Sequence, residues 1–378
     1  MNIYITISAL EDAICEDDSS LHLVLEKLPG GCAVYTDITQ DDLFSRIGDE
    51  DDILSDLSLG CDVRICSGLD MINGIKNDCS LVLKDPMAVY ILDIDEQLAS
   101  NIQDSFGVIC KSSKDPDISV LLTEHRTAVC EEKAPGDWGP TMFDKIDTEP
   151  VNSVLISDRY LFSDDQGERN RQEDWSFTKG NGYKNVLSLL DCILPRQPRK
   201  NNPITVLICF DAFDFGGNPY KKVRIDDLQR RELERRHFNF LVNNLYKDIN
   251  GLRKGLYEVV VELLSFGPNA PGYDKTHNRR VLTNYSELYA EHKLAAFRDH
   301  CCEIDQNIIF NTLFAEGIHN RSDCPILSHD TKLKRFANII EEINRVNKLS
   351  SSYLFSYCAQ YDANITKVKN KLIKSFLP

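Results

Sequence analysis

His277, Arg279 and Asn284 have types and a spacing, H-x-R-x4-N, that can do phosphate chemistry. A histidine can attack a phosphodiester phosphorus if its developing positive charge is stabilised. An arginine two residues on can grip phosphate oxygens with a bidentate fork. An asparagine hydrogen-bonds but brings no charge to steady an imidazolium. In a serine-protease triad, exchanging the orienting Asp for Asn lowers turnover by several orders of magnitude. The pattern therefore reads as phosphate binding more readily than fast hydrolysis. It occurs once in the chain. The competing reading is a His that stands before a strand by chance.

The elements that must position these residues start near 151. Val154-Leu155-Ile156 is a short apolar run ending at Asp158-Arg159-Tyr160. Val186, Leu189, Leu190 and Ile193 have helical spacing over 185–194, stopped by Pro195. Ile204 to Phe210 reads as a buried strand. Asp226 or Asp227 can cap a long helix ending at Gly251, Val259-Val260-Val261 is the next strand, and Val281-Leu282 follows the His. Strands alternating with helices predict a mostly parallel sheet covered on both faces. Active groups of such sheets gather at the carboxyl ends of the strands, where Asp158, Asp211 and His277 can converge.

With those elements in place, residues about 150–320 resemble one half of a phospholipase D-like domain. In the 277–284 segment, Arg279 and Asn284 take the Lys and Asp positions of the H-x-K-x4-D motif. The string THNRRVLTNY is also similar to the HDR…TNY version found in bacterial phospholipase D-like proteins. A degenerate version closes a group of eukaryotic microtubule-interacting-and-transport proteins, where it binds rather than cuts. Asn278 stands where those relatives carry Asp. The resemblance implies His277 as the nucleophile, Arg279 and Asn284 as phosphate ligands, and Asp158 and Asp211 as supporting carboxylates. No cofactor and no metal are expected, since the chain has no glycine-rich phosphate loop and no H-E-x-x-H. The resemblance points to a pseudoenzyme or very slow phosphodiesterase that binds a phosphorylated ligand or protein partner. The setting it suggests is a bacterial antiviral-defence or mobile-element system. An active site of this kind uses two motifs, so an active phosphodiesterase or nuclease implies a homodimer with two His277 side chains facing across a two-fold axis.

Composition bounds the rest. At 378 residues the chain is long enough for two domains, each with its own core. No apolar run approaches a membrane span, and Met1 to Ile5 lacks a basic leader, so a cytoplasmic protein with no membrane partner is expected. Thirteen scattered cysteines without a C-x-x-C pair argue against a zinc site and a disulfide framework. Residues 1–150 hold 31 acidic and 10 basic side chains, a balance of −21, whereas the remainder stands at +5. The acidic half should repel nucleic acid and could dock on a basic partner as an assembly or adaptor subunit. Nucleic acid is expected only through the second domain. There Lys221, Lys222, Arg224, Arg230, Arg231, Arg235, Arg236 and His237 cluster. They form either a phosphate-backbone surface or a solvated helix face.

The expected architecture is α/β. It comprises a small acidic α/β domain over 1–130, a linker over 131–150, and a phospholipase D-like mixed-sheet domain over 151–328. Helices are expected over 329–378, from the periodicity of Thr331–Leu349 and of Tyr353–Phe376. In the first domain, Ile3 and Ile5 predict a strand, Leu21–Leu28 a helix and Ala88–Leu92 a buried strand. The Asp93–Glu96 carboxylates cap the next helix or, alternatively, hold Mg²⁺.

Overall fold

The computed structural model describes residues 2–15, 20–26, 33–49, 52–66, 70–122, 126–129, 150–162, 168–169, 175–199, 202–211, 227–266, 279–290, 308–312, 355–358, 368 and 370–372. Five strands form a parallel sheet: β1 (Asn2–Ile5), β2 (Ala33–Thr36), β3 (Asp62–Ile65), β4 (Val89–Leu92) and β5 (Ile109–Ser112), ordered β3-β2-β1-β4-β5. Alternation along the strands gives both faces apolar work, as a doubly covered parallel sheet requires. Ile3, Ile5, Val34 and Ile91 face α1 (Ile7–Cys15), α2 (Ser20–Glu26), α3 (Gln40–Ile47) and α4 (Ile53–Gly60), packing on Leu10, Val24, Leu43 and Leu54. Tyr4, Tyr90 and Leu92 face α5 (Asp70–Ile75) and α6 (Glu96–Phe106), packing on Ile72, Ala99 and Ile102. The Asp95 side chain accepts from Leu98 N and starts α6; Gly107, at φ 66, ends it.

A second sheet has eight strands. They are β6 (Arg126–Val129), β7 (Ser153–Ser157), β10 (Ile204–Asp211), β11 (Val259–Phe266), β12 (Arg279–Thr283), β13 (Ser286–Ala290), β14 (Ile308–Thr312) and β15 (Phe355–Cys358); β8 (Glu168–Arg169) and β9 (Trp175–Ser176) pair separately. The order is β15-β11-β10-β7-β12-β13-β14-β6. β7, β10 and β11 run parallel, and the remaining pairings are antiparallel. The connections from β7 to β10 and from β10 to β11 carry α7 (Asn181–Ile193) and α8 (Asp227–Leu252). Val186 and Leu190 of α7 and Leu241 and Leu245 of α8 pack on Val154, Ile156, Val206, Ile208 and Val261. No described helix is long and apolar enough to cross a membrane.

Two strands depart from the expected boundaries. β6 lies within the stretch assigned to the first domain yet pairs with β14 at the edge of the second sheet. β15 lies in a stretch expected to be helical and pairs antiparallel with β11. Its Phe-Ser-Tyr-Cys run alternates with a period of two. The open edge of β11 offers it backbone partners, which override a weak helical preference. The expected helix over Thr331–Leu349 lies outside the described residues.

The two sheets meet in a polar seam. The Tyr285 hydroxyl donates to Ala88 O at 2.6 Å and accepts from Ile109 N at 2.9 Å. The Asn152 side chain donates to Gly107 O at 3.0 Å, and that of Asn202 to Ser105 O at 3.1 Å. Every contact joins the second sheet to the amino ends of β4 and β5 or to the end of α6. On the second sheet itself, residues 370–372 of the C-terminal stretch form a stitch. The Asn370 Nδ2 donates to Val154 O at 3.0 Å, its Oδ1 accepts from Ser153 Oγ at 3.0 Å, and its backbone N donates to the buried Glu262 Oε2 at 2.7 Å.

Asn370→Ala leaves Ser153 and the Val154 carbonyl without these partners. The expected cost is about 1–3 kcal/mol, seen as a lower urea midpoint at unchanged slope. A wild-type midpoint would show that the stitch contributes nothing.

Candidate functional site

β12 runs antiparallel to β7 with Arg280 opposite Ser157, which sets Arg279 opposite Asp158. Arg279 Nε lies 3.3 Å from Asp158 Oδ1, and the two side chains are only 7% and 2% exposed. Asp158 Oδ1 also accepts from Tyr160 N at 2.9 Å, and the Arg279 guanidinium lies 5.9 Å from the Tyr160 ring centroid. Asp158 N donates to Cys209 O at 3.1 Å, which ties the residue to β10. The strand-end cluster thus holds a buried, mutually neutralising ion pair under an aromatic ring. Burying such a pair is costly, and removing one partner costs more, because the other charge is then stranded.

Asp211 ends β10, two residues past Cys209, whose register partner is Ser157. Its backbone is therefore at the same edge as Asp158; its side chain is not among those described. His277, two positions ahead of β12, lies outside the described residues, as do Lys221, Lys222 and Arg224.

Asn284 is not part of this cluster. β12 is extended, so the five residues from Arg279 carry the chain roughly 16 Å to the other end of the sheet. There Asn284 is fully buried in the seam: Oδ1 accepts from Asn152 N at 3.0 Å, and Nδ2 donates to Gly107 O at 2.6 Å and Pro86 O at 3.2 Å. The expected phosphate ligand is instead a bridge between sheets, with its carboxamide fully engaged by backbone. Thr283 belongs to the same turn, its Oγ1 accepting from Ser286 N at 3.0 Å. Thr283, Asn284 and Tyr285 are thus all engaged in hydrogen bonds at or beside the seam.

The basic run is also divided. Arg231 and Arg235 are exposed on α8, and Arg235 pairs with Glu232 at 2.8 Å one helical turn away. His237 turns inward, 2% exposed, with its ring centroid 5.1 Å from that of Phe177 and 6.4 Å from that of Phe162. Burial among these rings lowers its pKa to about 4. No group of three or more His, Cys, Asp or Glu side chains gathers for a metal among the described residues. Asn152 was not singled out from the sequence, whereas Tyr160 was read only as the end of a strand run and Tyr285 only as the last residue of the T-N-Y string.

Comparison with known proteins adds no relative: neither family models nor curated proteins match this chain.

Restoring the acidic residue of the motif tests the seam. Asn284→Asp removes the Nδ2 donor and sets a carboxylate against two carbonyl oxygens. The expected loss is about 2–4 kcal/mol, with no gain in phosphodiester hydrolysis. Retained stability together with new hydrolysis would return Asn284 to the site. His237 supplies a pH test. Its folded pKa of about 4 lies below the unfolded value of 6.5. The unfolded chain therefore binds the extra proton. The contribution is full above pH 6.5 and is lost as pH falls towards 4, by at most about 1.4 kcal/mol per pH unit. Urea midpoints measured across that window should fall in wild type and flatten in His237→Leu.

Proposed function

We propose that the protein consists of a small acidic α/β domain followed by a phospholipase D-like one. The second domain's strand-end site binds a phosphorylated ligand or a protein partner and hydrolyses phosphodiesters slowly or not at all. The single observation that carries this reading is the convergence of Arg279 and Asp158, 121 positions apart, beneath Tyr160 and at the start of the strand that follows His277 in sequence. A buried guanidinium at the carboxyl end of a parallel strand suits a phosphate oxygen. Apart from the short β8–β9 pair after β7, the element order to β12 is strand-helix-strand-helix-strand-strand, which supports the same reading.

The case for slow chemistry rests on Asp158 rather than on Asn284. Asp158 occupies Arg279 Nε and presents a negative charge where a phosphate must enter. An incoming phosphate competes with that carboxylate, which weakens transition-state stabilisation at the step where charge develops. A partner that displaces only solvent does not face this competition to the same degree.

The test uses the full chain, with inorganic pyrophosphate as the binding probe and bis-p-nitrophenyl phosphate as the reporter of hydrolysis. Pyrophosphate binding should survive His277→Ala, fall by roughly tenfold or more in Arg279→Met, and decline with salt at a log–log slope of about −1 to −2. Because Arg279→Met strands Asp158, the double variant with Asp158→Asn serves as the folded control and should also fail to bind. Hydrolysis should stay at background. Undiminished binding in the folded double variant ends the proposal. Robust His277-dependent cleavage replaces it with a homodimeric phosphodiesterase.

A further inference from the structure

The first sheet has a strand-end crevice of its own. Its order reverses between β1 and β4, with α1 to α4 on one face and α5 and α6 on the other. Sheets wound in this way open a ligand crevice beyond the carboxyl ends of the strands at the point of reversal. The seam engages the opposite, amino ends of β4 and β5.

Three features lie at the carboxyl ends of β1, β2 and β4. Asp37, just past β2, accepts from Ile7 N, the first residue of α1, at 2.7 Å through Oδ1, and its Oδ2 makes no hydrogen bond. Thr6, just past β1, accepts from Asp93 N at 3.2 Å, which brings the residue past β4 to the other side of the same junction. Thr36, the last residue of β2, is 0% exposed, and its hydroxyl has no hydrogen-bond partner. Thr36 alternates with Val34, so it lies on the face that α1 covers. Fully buried hydroxyls without partners are uncommon and call for an explanation.

The surrounding chemistry narrows the ligand. Anions settle at helix amino termini, but here the Asp37 carboxylate already holds that of α1. Residues 1–150 also carry an excess of 21 negative charges, which repels phosphate. A bare metal ion lacks a third ligating side chain among the described residues. A pair of hydroxyl donors fits, because a carboxylate past the second strand of such a sheet accepts from vicinal hydroxyls. We propose that this crevice binds the polyhydroxyl ring of an unphosphorylated sugar or nucleoside, with Asp37 Oδ2 accepting from the ring hydroxyls and the Thr36 hydroxyl meeting the same ring.

Saturation-transfer NMR on the full chain with ribose, adenosine and AMP tests this. Asp37→Asn keeps an oxygen for Ile7 N but turns the outer acceptor into a donor. Ring-proton saturation is expected with adenosine, and affinity should drop roughly tenfold in Asp37→Asn. Thr36→Val should keep the wild-type Tm and weaken adenosine several-fold. A comparable signal from ribose identifies a sugar site; adenosine alone identifies a nucleoside site. No ring-proton signal with folded wild type, equal signals from wild type and Asp37→Asn, or AMP held as tightly as adenosine would each overturn the assignment.

Discussion

The Asn284 carboxamide is the constraint on which the arrangement of the two sheets depends. It takes an amide proton from Asn152 and gives two to the carbonyls of Gly107 and Pro86. Gly107 can serve because it is left-handed at φ 66 and lacks a Cβ, which would sit 2.5 Å from Val151 O. The same carbonyl receives Asn152, and the neighbouring Tyr285 hydroxyl bridges Ala88 and Ile109. Backbone groups that a lone parallel sheet would leave to water are thus matched by side chains of the second sheet. Each bond is modest, but breaking one strands its buried partner, so the group acts together.

The strand-end cluster follows a different logic. Arg279 and Asp158 neutralise one another out of water, an arrangement that contributes little net stability but holds both side chains in one geometry. Tyr160 closes over the cation and returns its backbone N–H to the same carboxylate. The result is a guanidinium held in one place by its carboxylate. β12 joins this pair to the seam through one extended segment, so a single stretch of sequence serves both ends of the sheet.

Much of the fold was legible because periodicity reports packing. The Ile204–Phe210 run appears almost at its expected bounds, since it is buried on both faces, and the 93–96 carboxylate cluster does cap a helix, through Asp95. Asp158 was legible as a strand-end residue and Arg279 as a phosphate-gripping residue of the spacing; the ion pair between them was not foreseen. Asn284 was misread because motif spacing counts residues along the chain. Five residues in a strand carry the chain roughly 16 Å, so a short spacing in sequence does not make the two groups neighbours in space. β6 and β15 escaped notice for a related reason: a four-residue edge strand has too short a pattern, and its partner lies far away in sequence. Asn152 gave no signal at all, because a polar residue beside a strand looks the same whether it faces water or another sheet, and Tyr285 stood in the T-N-Y string without its bridging role being legible.

The Tyr285 bridge also gives the molecule a built-in clock. Ile109 N opens β5, and the partner of its proton is a phenol from the far sheet rather than a neighbouring strand. Solvent deuterium can reach that amide only when the sheets part or the first sheet itself frays. The amides that β5 shares with β4 report fraying alone, so the difference between the two rates isolates the parting of the sheets. One backbone position therefore timestamps the opening of the whole interface, without a label and without altering a residue.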